Sequence, residues 1–313
     1  MITVYPESGK PLWIDLRDPT PEEIAKACSD YGLEIPPRTA LEEIEFSSRL
    51  QYDDGVFNLS VPVTPHDRRN GDAEEPTSPL GFVLTQDLLV TVRFAHLHTF
   101  ESIRQRVRRR ERTPADILLV ILEALIDYGA DRLEELRAEA LAVSQRIFHK
   151  EMQERQQHSV AAVNRMLRST LVEIGDMGER LSHIRDTLLV LQRAIPFLVE
   201  HGAWIEPQVK ARLKMASKDV RSLNEYEVHL TDKLQFLLDA ALGFISTEQN
   251  DLFKVLTIAS VVGIPPVLFA GIWGMNFQHM PELAWAYGYP LAWGTILLVG
   301  LLPLVWFKWR GWW

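Results

Sequence analysis

The sequence predicts an α+β membrane protein: an N-terminal cytosolic α/β domain, then a long stalk helix that continues into the first of two C-terminal transmembrane helices. Three observations carry that expectation. Two charge-free apolar runs lie close together near the C-terminus. A heptad pattern leads without an obvious breaker into the first of them. The charge is also partitioned: the 313 residues carry a formal net charge of −9, yet from Lys254 onward there are only Lys254, Lys308 and Arg310 against Glu282, a net of +2, which leaves −11 for the first 253.

The first apolar run, Val255 to Trp273 (VLTIASVVGIPPVLFAGIW), has no charged residue over 19 positions. That is close to the ~20 residues a helix needs to cross a bilayer core. The second, Leu283 to Phe307, is also uncharged and long enough to span with tilt. Pro265, Pro266 and Pro303 are compatible with helix, because neighbouring helices or cavity water satisfy the freed carbonyls inside a membrane. The alternative is a buried helix pair in a soluble protein, but two adjacent runs of this kind are rare there. The basic flanks and the absence of Lys or Arg between the runs put both termini in the cytoplasm and the connection outside. Trp306, Trp309, Trp312 and Trp313 suit the inner interface, and Trp273, Trp285, Tyr287 and Tyr289 the outer one. The N-terminus (MITVYPESGKPLW) has no basic segment followed by an apolar one, so no cleaved signal peptide is expected. The single cysteine, Cys28, excludes an intramolecular disulfide framework and a Cys-rich zinc site, and fits a reducing compartment.

Taken in order, residues 1–112 read as the cytosolic α/β domain. LWIDL (12–16) alternates, GVFNLSVPV (55–63) is rich in β-formers, and LGFVLTQDLLVTVRF (80–94) suggests a hairpin around Gln86-Asp87. TPEEIAKACSDYG (20–32) is a helix with Thr20 as N-cap, Pro21 at N1 and Gly32 as C-terminal stop. Residues 65–79 are full of turn formers and read as a loop. A cytosolic helical region, 113–206, opens on the cap Thr113-Pro114 and follows helical spacing until Gly202 and Pro207 break it. The stalk, 207–254, carries Leu213, Ala216, Val220, Leu223, Glu227, Leu230, Leu234, Leu237, Ala241 and Phe244 in alternating steps of three and four. That is a heptad seam with one polar member, Glu227, and a seam needs a partner, so it implies oligomers. A continuous helix from Gln208 to Trp273 would be on the order of 100 Å long; a kink near Gly243 is the alternative. Residues 255–275 are then the first span, 276–284 an external loop, 285–307 the second span, and 308–313 a basic, aromatic cytosolic tail.

AGIWGMNFQHMPEL (270–283) joins the two spans. It resembles the signature of the CorA family of magnesium transporters, in which a Gly-Met-Asn triplet follows the first of two C-terminal spans and MPEL follows it. The resemblance extends to FISTEQNDLFKVLTIASVVGIPP (244–266), YGYP (287–290), the WFKWRGWW end, WIDLRDP (13–19) and ALEEIEFSSRLQYDDG (40–55). It covers most of the chain and is weakest between about 60 and 210.

The resemblance implies a homopentameric funnel: five long helices form a cytosolic cone and then line one pore, with the second spans outside. It implies passive influx of Mg²⁺, often also Co²⁺ or Ni²⁺, across the inner or plasma membrane. The membrane potential would drive it, at roughly 4.6 kcal/mol per 100 mV for a divalent ion. Mg²⁺ is then both substrate and regulatory ligand, with no catalytic cofactor; the partners are further copies of the chain, the bilayer and divalent ions. Gly274, Met275 and Asn276 would be the selectivity motif. Mg²⁺ sheds water reluctantly, so a ring of neutral amide oxygens can hydrogen-bond a hydrated ion where carboxylates would bind too tightly to let it leave. From the residues alone, a plain helix C-cap is the simpler account of Asn276. Gly274 permits a turn that a Cβ would obstruct, and Met275 is expected to pack against neighbouring helices.

Ungapped matching from the triplet assigns the family's pore-facing positions to Asp239, Asn250, Leu256 and Ile264. Leu256 and Ile264 would be apolar constrictions that gate by dewetting, Asn250 a polar ring, and Asp239 an acidic ring at the inner mouth or a solvated coiled-coil charge. The chain departs from the family with Trp273 for Tyr, Ile264 for a frequent Met, Val267 for a frequent Thr, and Gln278 for a frequent acid. Glu282 is left as the external loop's carboxylate, whose ring would concentrate cations; His279 is a candidate for Ni²⁺ or Co²⁺, or simply exposed. The family's gate is thought to close when cytosolic Mg²⁺ bridges acidic residues between neighbouring soluble domains. Candidates here are Asp53, Asp54, Glu42, Glu43, Asp219 and Asp232.

Other functions find less support. There is no Walker loop, nucleophile elbow or HExxH, so no enzyme is expected. RQRVRRRER (104–112) is one short basic run in an acidic chain, which reads as a solvated or subunit-contacting segment rather than a nucleic-acid site. A zinc transporter of the ZntB-like branch is the near alternative, and a membrane-anchored, non-conducting scaffold or sensor the distant one.

Overall fold

The computed structural model describes residues 1–6, 9–65, 77–97, 99–107, 112–150, 160–275 and 285–312. The chain forms two compact units, one of Met1–Gln153 with Ser169–Leu238, the other of Glu154–Arg168 with Asp239–Trp313.

The first unit is built on a six-stranded sheet. Its strands are β1 (Ile2–Tyr5), β2 (Trp13–Arg17), β3 (Leu50–Asp53), β4 (Val56–Val63), β5 (Ser78–Leu84) and β6 (Leu89–Arg93), in spatial order β1-β2-β6-β5-β4-β3. β2 and β6 run parallel and the other neighbouring pairs antiparallel. The hairpin expected around Gln86-Asp87 is present, with Leu84 paired to Leu89. β5 begins at Ser78, inside the segment expected to be loop; the rest of that loop, 66–76, lies outside the described residues. β3 was not anticipated. It is joined to β4 by Asp54-Gly55, both at positive φ, the conformation that an Asp-Gly pair suits in a two-residue hairpin turn.

Alternation sorts the side chains of β2 and β6 to two faces. Ile14, Leu16, Val90 and Val92 join Val83, Ala27, Ile35 and Leu41 in a buried apolar cluster. This is the face covered by α1 (Pro21–Tyr31) and α2 (Arg38–Leu41). α1 starts where expected, on a capping box between Thr20 and Glu23, and stops at Gly32 in the left-handed region. The backbone N–H of Thr20 holds the Glu23 carboxyl below its ordinary pKa, with the N-terminal amine adding to the effect. A further short helix, α3 (Phe46–Arg49), precedes β3.

On the other face Asp15 is 1% exposed. It accepts hydrogen bonds from Thr91 Oγ1 at 2.9 Å, from Arg93 at 3.0 and 2.9 Å, and from Arg104 at 2.6 Å. Arg104 belongs to α4 (Thr99–Val107). The basic run expected to be solvated or subunit-contacting therefore begins with an arginine committed to a buried carboxylate of its own chain; residues 108–111 of the run lie outside the described residues.

Three long helices follow: α5 (Pro114–Gln145), extended by a π-helical turn over Arg146–Lys150, then α6 (Val160–His201) and α7 (Pro207–Trp273). Thr113 caps α5 by accepting from the Asp116 N–H, with Pro114 at its first turn. The break at Gly202 and Pro207 falls between α6 and α7. In the first unit these helices are tied by Arg180–Glu139, Arg212–Glu123 and Asn224–Gln192. Thr187 of α6 donates to Pro62 O of β4 at 2.7 Å.

The heptad seam corrects one expectation. Leu213, Ala216, Val220, Glu227, Leu230, Leu234, Leu237 and Ala241 are all buried within a single chain. The period identifies which face is covered, and in the first unit the cover comes from the chain's own helices, as the α6–α7 contacts show. The seam is therefore not by itself an argument for oligomers.

α7 runs unbroken for 67 residues, through Gly243 and through Pro265-Pro266, as the continuous-helix expectation required. α8 (Gly288–Trp309) follows. Both α7 and α8 contain a stretch long and apolar enough to cross a membrane.

Candidate functional site

α7 from Asp239 onward and the start of the segment after it hold the expected site. Leu256 and Ile264 are 63% and 64% exposed, and the apolar stretch of α7 has no buried residue. Asp239 and Asn250 are exposed as well. At 100° per residue, Asn250 and Ile264 fall about 20° to either side of Asp239, and Leu256 about 100° away. A 3.5-residue repeat brings all three within about 50° of Asp239. The four positions thus share one broad face on a supercoiled helix and not on a straight one.

Pro265 and Pro266 lack the N–H groups that would bond the carbonyls of Val261 and Val262. Two backbone acceptors are thereby freed in the turn around Ile264. Pro266 also marks where the two spans meet: a Cβ on Gly300 of α8 would lie 3.3 Å from Pro266 Cγ. Sequence reasoning missed this contact. Its signal was a glycine flanked by large apolar residues inside the span, the kind that lets membrane helices approach closely.

At the end of α7 the Gly274 N–H still donates to Ala270 O at 3.0 Å, and the Met275 N–H tightens the turn onto Ile272 O at 3.3 Å. A Cβ on Gly274 would stand 3.1 Å from Ala270 O, so the tight turn favours glycine. Met275 is half exposed. Asn276 and Glu282, with Gln278 and His279, lie outside the described residues. Beside this turn Trp273, Gly274, Trp285, Tyr289 and Trp293 line a common hollow of about 470 Å³. Most of the aromatics expected at the outer interface are thus gathered in one place.

The expected regulatory carboxylates are dispersed. Asp53 and Asp54 sit at the β3–β4 turn, Glu42 at the end of α2 in an ion pair with Arg38, and Glu43 just after it. Asp219 and Asp232 are exposed on α7, 13 residues apart and therefore about 20 Å along the axis. Among the described residues, no three His, Cys, Asp or Glu side chains gather into a metal-binding group.

A mixed sheet followed by an unbroken helix that ends in an apolar span, with a second span beside it, defines a two-span membrane protein with a large N-terminal domain. Comparison with known proteins makes the class specific. The model of the family described as "CorA-like Mg2+ transporter protein" matches residues 8–309. The magnesium transport protein CorA of Yersinia pseudotuberculosis is 32% identical over 304 residues, covering 96% of this chain and 92% of that protein. The complete structure of the CorA magnesium transporter from Methanocaldococcus jannaschii is similar with a TM-score of 0.75 at 18% identity, over 96% of this chain and 90% of that one. The ZntB cytoplasmic domain from Vibrio parahaemolyticus is similar with a TM-score of 0.55 at 16% identity, over 75% of this chain and 88% of that one. At those identities the two structures speak for the fold alone. The chain belongs to the CorA-like Mg²⁺ transporter family.

Proposed function

We propose that the chain is one subunit of a homopentameric transporter that admits Mg²⁺, and also Co²⁺ and Ni²⁺, passively through the inner or plasma membrane. The observation that carries this reading is family membership over residues 8–309, joined to an unbroken helix that delivers Gly274 and Met275 to the end of an apolar span. Residues 1–254 and 308–313 are cytosolic, 255–275 and 285–307 cross the membrane, and 276–284 face outside. Lys254, Lys308 and Arg310 at the inner ends, and no Lys or Arg between the spans, support that orientation.

In this reading five Asn276 carbonyls meet the ion in its water shell, and Glu282 supplies negative charge at the mouth. Leu256 and Ile264 form apolar constrictions that close when they dewet. Asn250 and Asp239 follow on the cytosolic side. Loaded regulatory sites hold the gate shut when internal Mg²⁺ is high. The dispersal of Glu42, Glu43, Asp53, Asp54, Asp219 and Asp232 within one chain favours sites shared between copies. The divalent charge makes the potential the driving force, at roughly 4.6 kcal/mol per 100 mV.

Purified protein in liposomes with an entrapped Mg²⁺-sensitive dye tests the reading. Wild type takes up Mg²⁺, and Asn276→Ala brings uptake to the level of empty vesicles. Uptake at the wild-type rate in that variant overturns the selectivity ring. Zn²⁺ entering in preference to Mg²⁺ would point to the ZntB-like alternative, and a folded oligomer that passes no divalent ion would point to a scaffold.

A further inference from the structure

The chain does not fray after α8. The Trp312 N–H donates to Phe307 O and the Gly311 N–H to Lys308 O, both at 3.1 Å, and Gly311 takes a φ of 71°. This is the paired bonding of a Schellman stop, and it comes with the apolar contact that usually accompanies it. The Trp312 ring lies 5.1 Å from that of Phe307, which is 3% exposed. The Arg310 guanidinium sits over the Trp306 ring at 5.6 Å. The end of α8 is therefore an ordered aromatic plate that carries two cations, Lys308 and Arg310.

An exposed apolar face runs up one side of α8 from this plate, past Trp309, Trp306, Leu302, Leu301 and Leu298 to Gly294. Its 15-residue rise is on the order of 22 Å, enough for one extended acyl chain in a leaflet about 15 Å deep. Lys308 follows Leu301 by seven residues and Leu297 by eleven, a spacing that returns it to that face. Arg310 reaches the same side through its stacking on Trp306, which itself belongs to the apolar face. Residues 285–312 contain no Asp or Glu to oppose these charges. The helix C-terminus disfavours an anion, but the Schellman bonds occupy the carbonyls of Phe307 and Lys308, and two full cationic charges outweigh the partial charge that is left.

We propose that this end of α8 is a binding site for an anionic phospholipid, with the phosphate held by Lys308 and Arg310 and an acyl chain laid along the apolar face below them. The proposal rests on reading α8 as a membrane span. It goes beyond ion conduction, because the site lies on the second span and uses none of the proposed pore residues.

Brominated lipids, which quench tryptophan on contact, provide the test. The full-length protein is reconstituted into phosphatidylcholine vesicles containing either dibrominated phosphatidylglycerol or dibrominated phosphatidylcholine. Wild type is quenched preferentially by the anionic lipid, with about fivefold tighter association for each of the two cations. Lys308→Gln with Arg310→Gln equalises the two lipids, while Lys308→Arg with Arg310→Lys keeps the preference. Equal quenching in wild type, or a preference that survives the double Gln variant, overturns the anion site and leaves α8 a span. No quenching by either lipid shows that this face is covered by another copy or is not in a membrane, which overturns the site and, in the second case, the span as well.

Discussion

Asp15 is where a single residue decides most in the soluble part. It is buried, and it accepts from Thr91, Arg93 and Arg104, so one carboxylate ties β2 to β6 and to α4. Arg93 is itself buried and lies over the Phe100 ring at 4.5 Å. Removing the acceptor strands that guanidinium in a site it cannot leave. Asp15→Ala is expected to cost about 3–5 kcal/mol, the range for breaking a buried pair from one side. Thermal unfolding of the detergent-solubilised protein checks it, and an unchanged midpoint would show that solvent reaches Arg93. The sequence did not reveal this network. WIDLR and LVTVR each read as strands, but their parallel pairing, and the placing of Asp15 against Arg93, depends on a crossover that period-2 patterning does not specify.

At the scale of elements, the long helices were the most legible. α1 and α5 begin at a Thr-Pro cap that the sequence announces, and α7 runs unbroken through 67 residues. The short pieces β1, β3, α2 and α3 were not read, because four residues hold too little periodicity to stand out. The seam's partner was also illegible, since a heptad names a buried face without naming what covers it. Glu227 is the place to probe it. It is 2% exposed, accepts from Thr231 Oγ1 at 2.9 Å, and has Arg185 no closer than 3.9 Å. Beside it Gly175 and Gly178 of α6 border a hollow of about 370 Å³. With Arg185 at the far limit of ion pairing, the Coulomb gain is small and burial of this carboxylate costs more than its contacts return. Glu227→Leu is expected to stabilise the protein by about 1–4 kcal/mol, the range for replacing buried charges by apolar side chains, read as a raised unfolding midpoint. A lowered midpoint would mean that the carboxylate is better solvated or paired than its burial indicates.

For the whole molecule, the partition of charge and hydropathy did most of the work. An acidic N-terminal part, two charge-free runs and basic residues flanking them were enough to anticipate a large domain followed by two spans. The candidate site was legible for a different reason. Gly274, Met275 and Asn276 stand out only because a motif is placed after a span, and nothing in their own propensities separates a selectivity ring from a helix cap. The proposed regulatory carboxylates are the least legible: a site shared between subunits, as proposed, would leave no spacing rule within one chain.

The central claim is that this chain conducts divalent cations down the membrane potential. It is tested most directly by Mg²⁺ uptake into proteoliposomes at a series of imposed, inside-negative K⁺ diffusion potentials. The account predicts uptake that rises as the interior is made more negative, with the driving force growing by roughly 4.6 kcal/mol for each 100 mV. Inserted, oligomeric protein that passes no Mg²⁺ at any potential would contradict it.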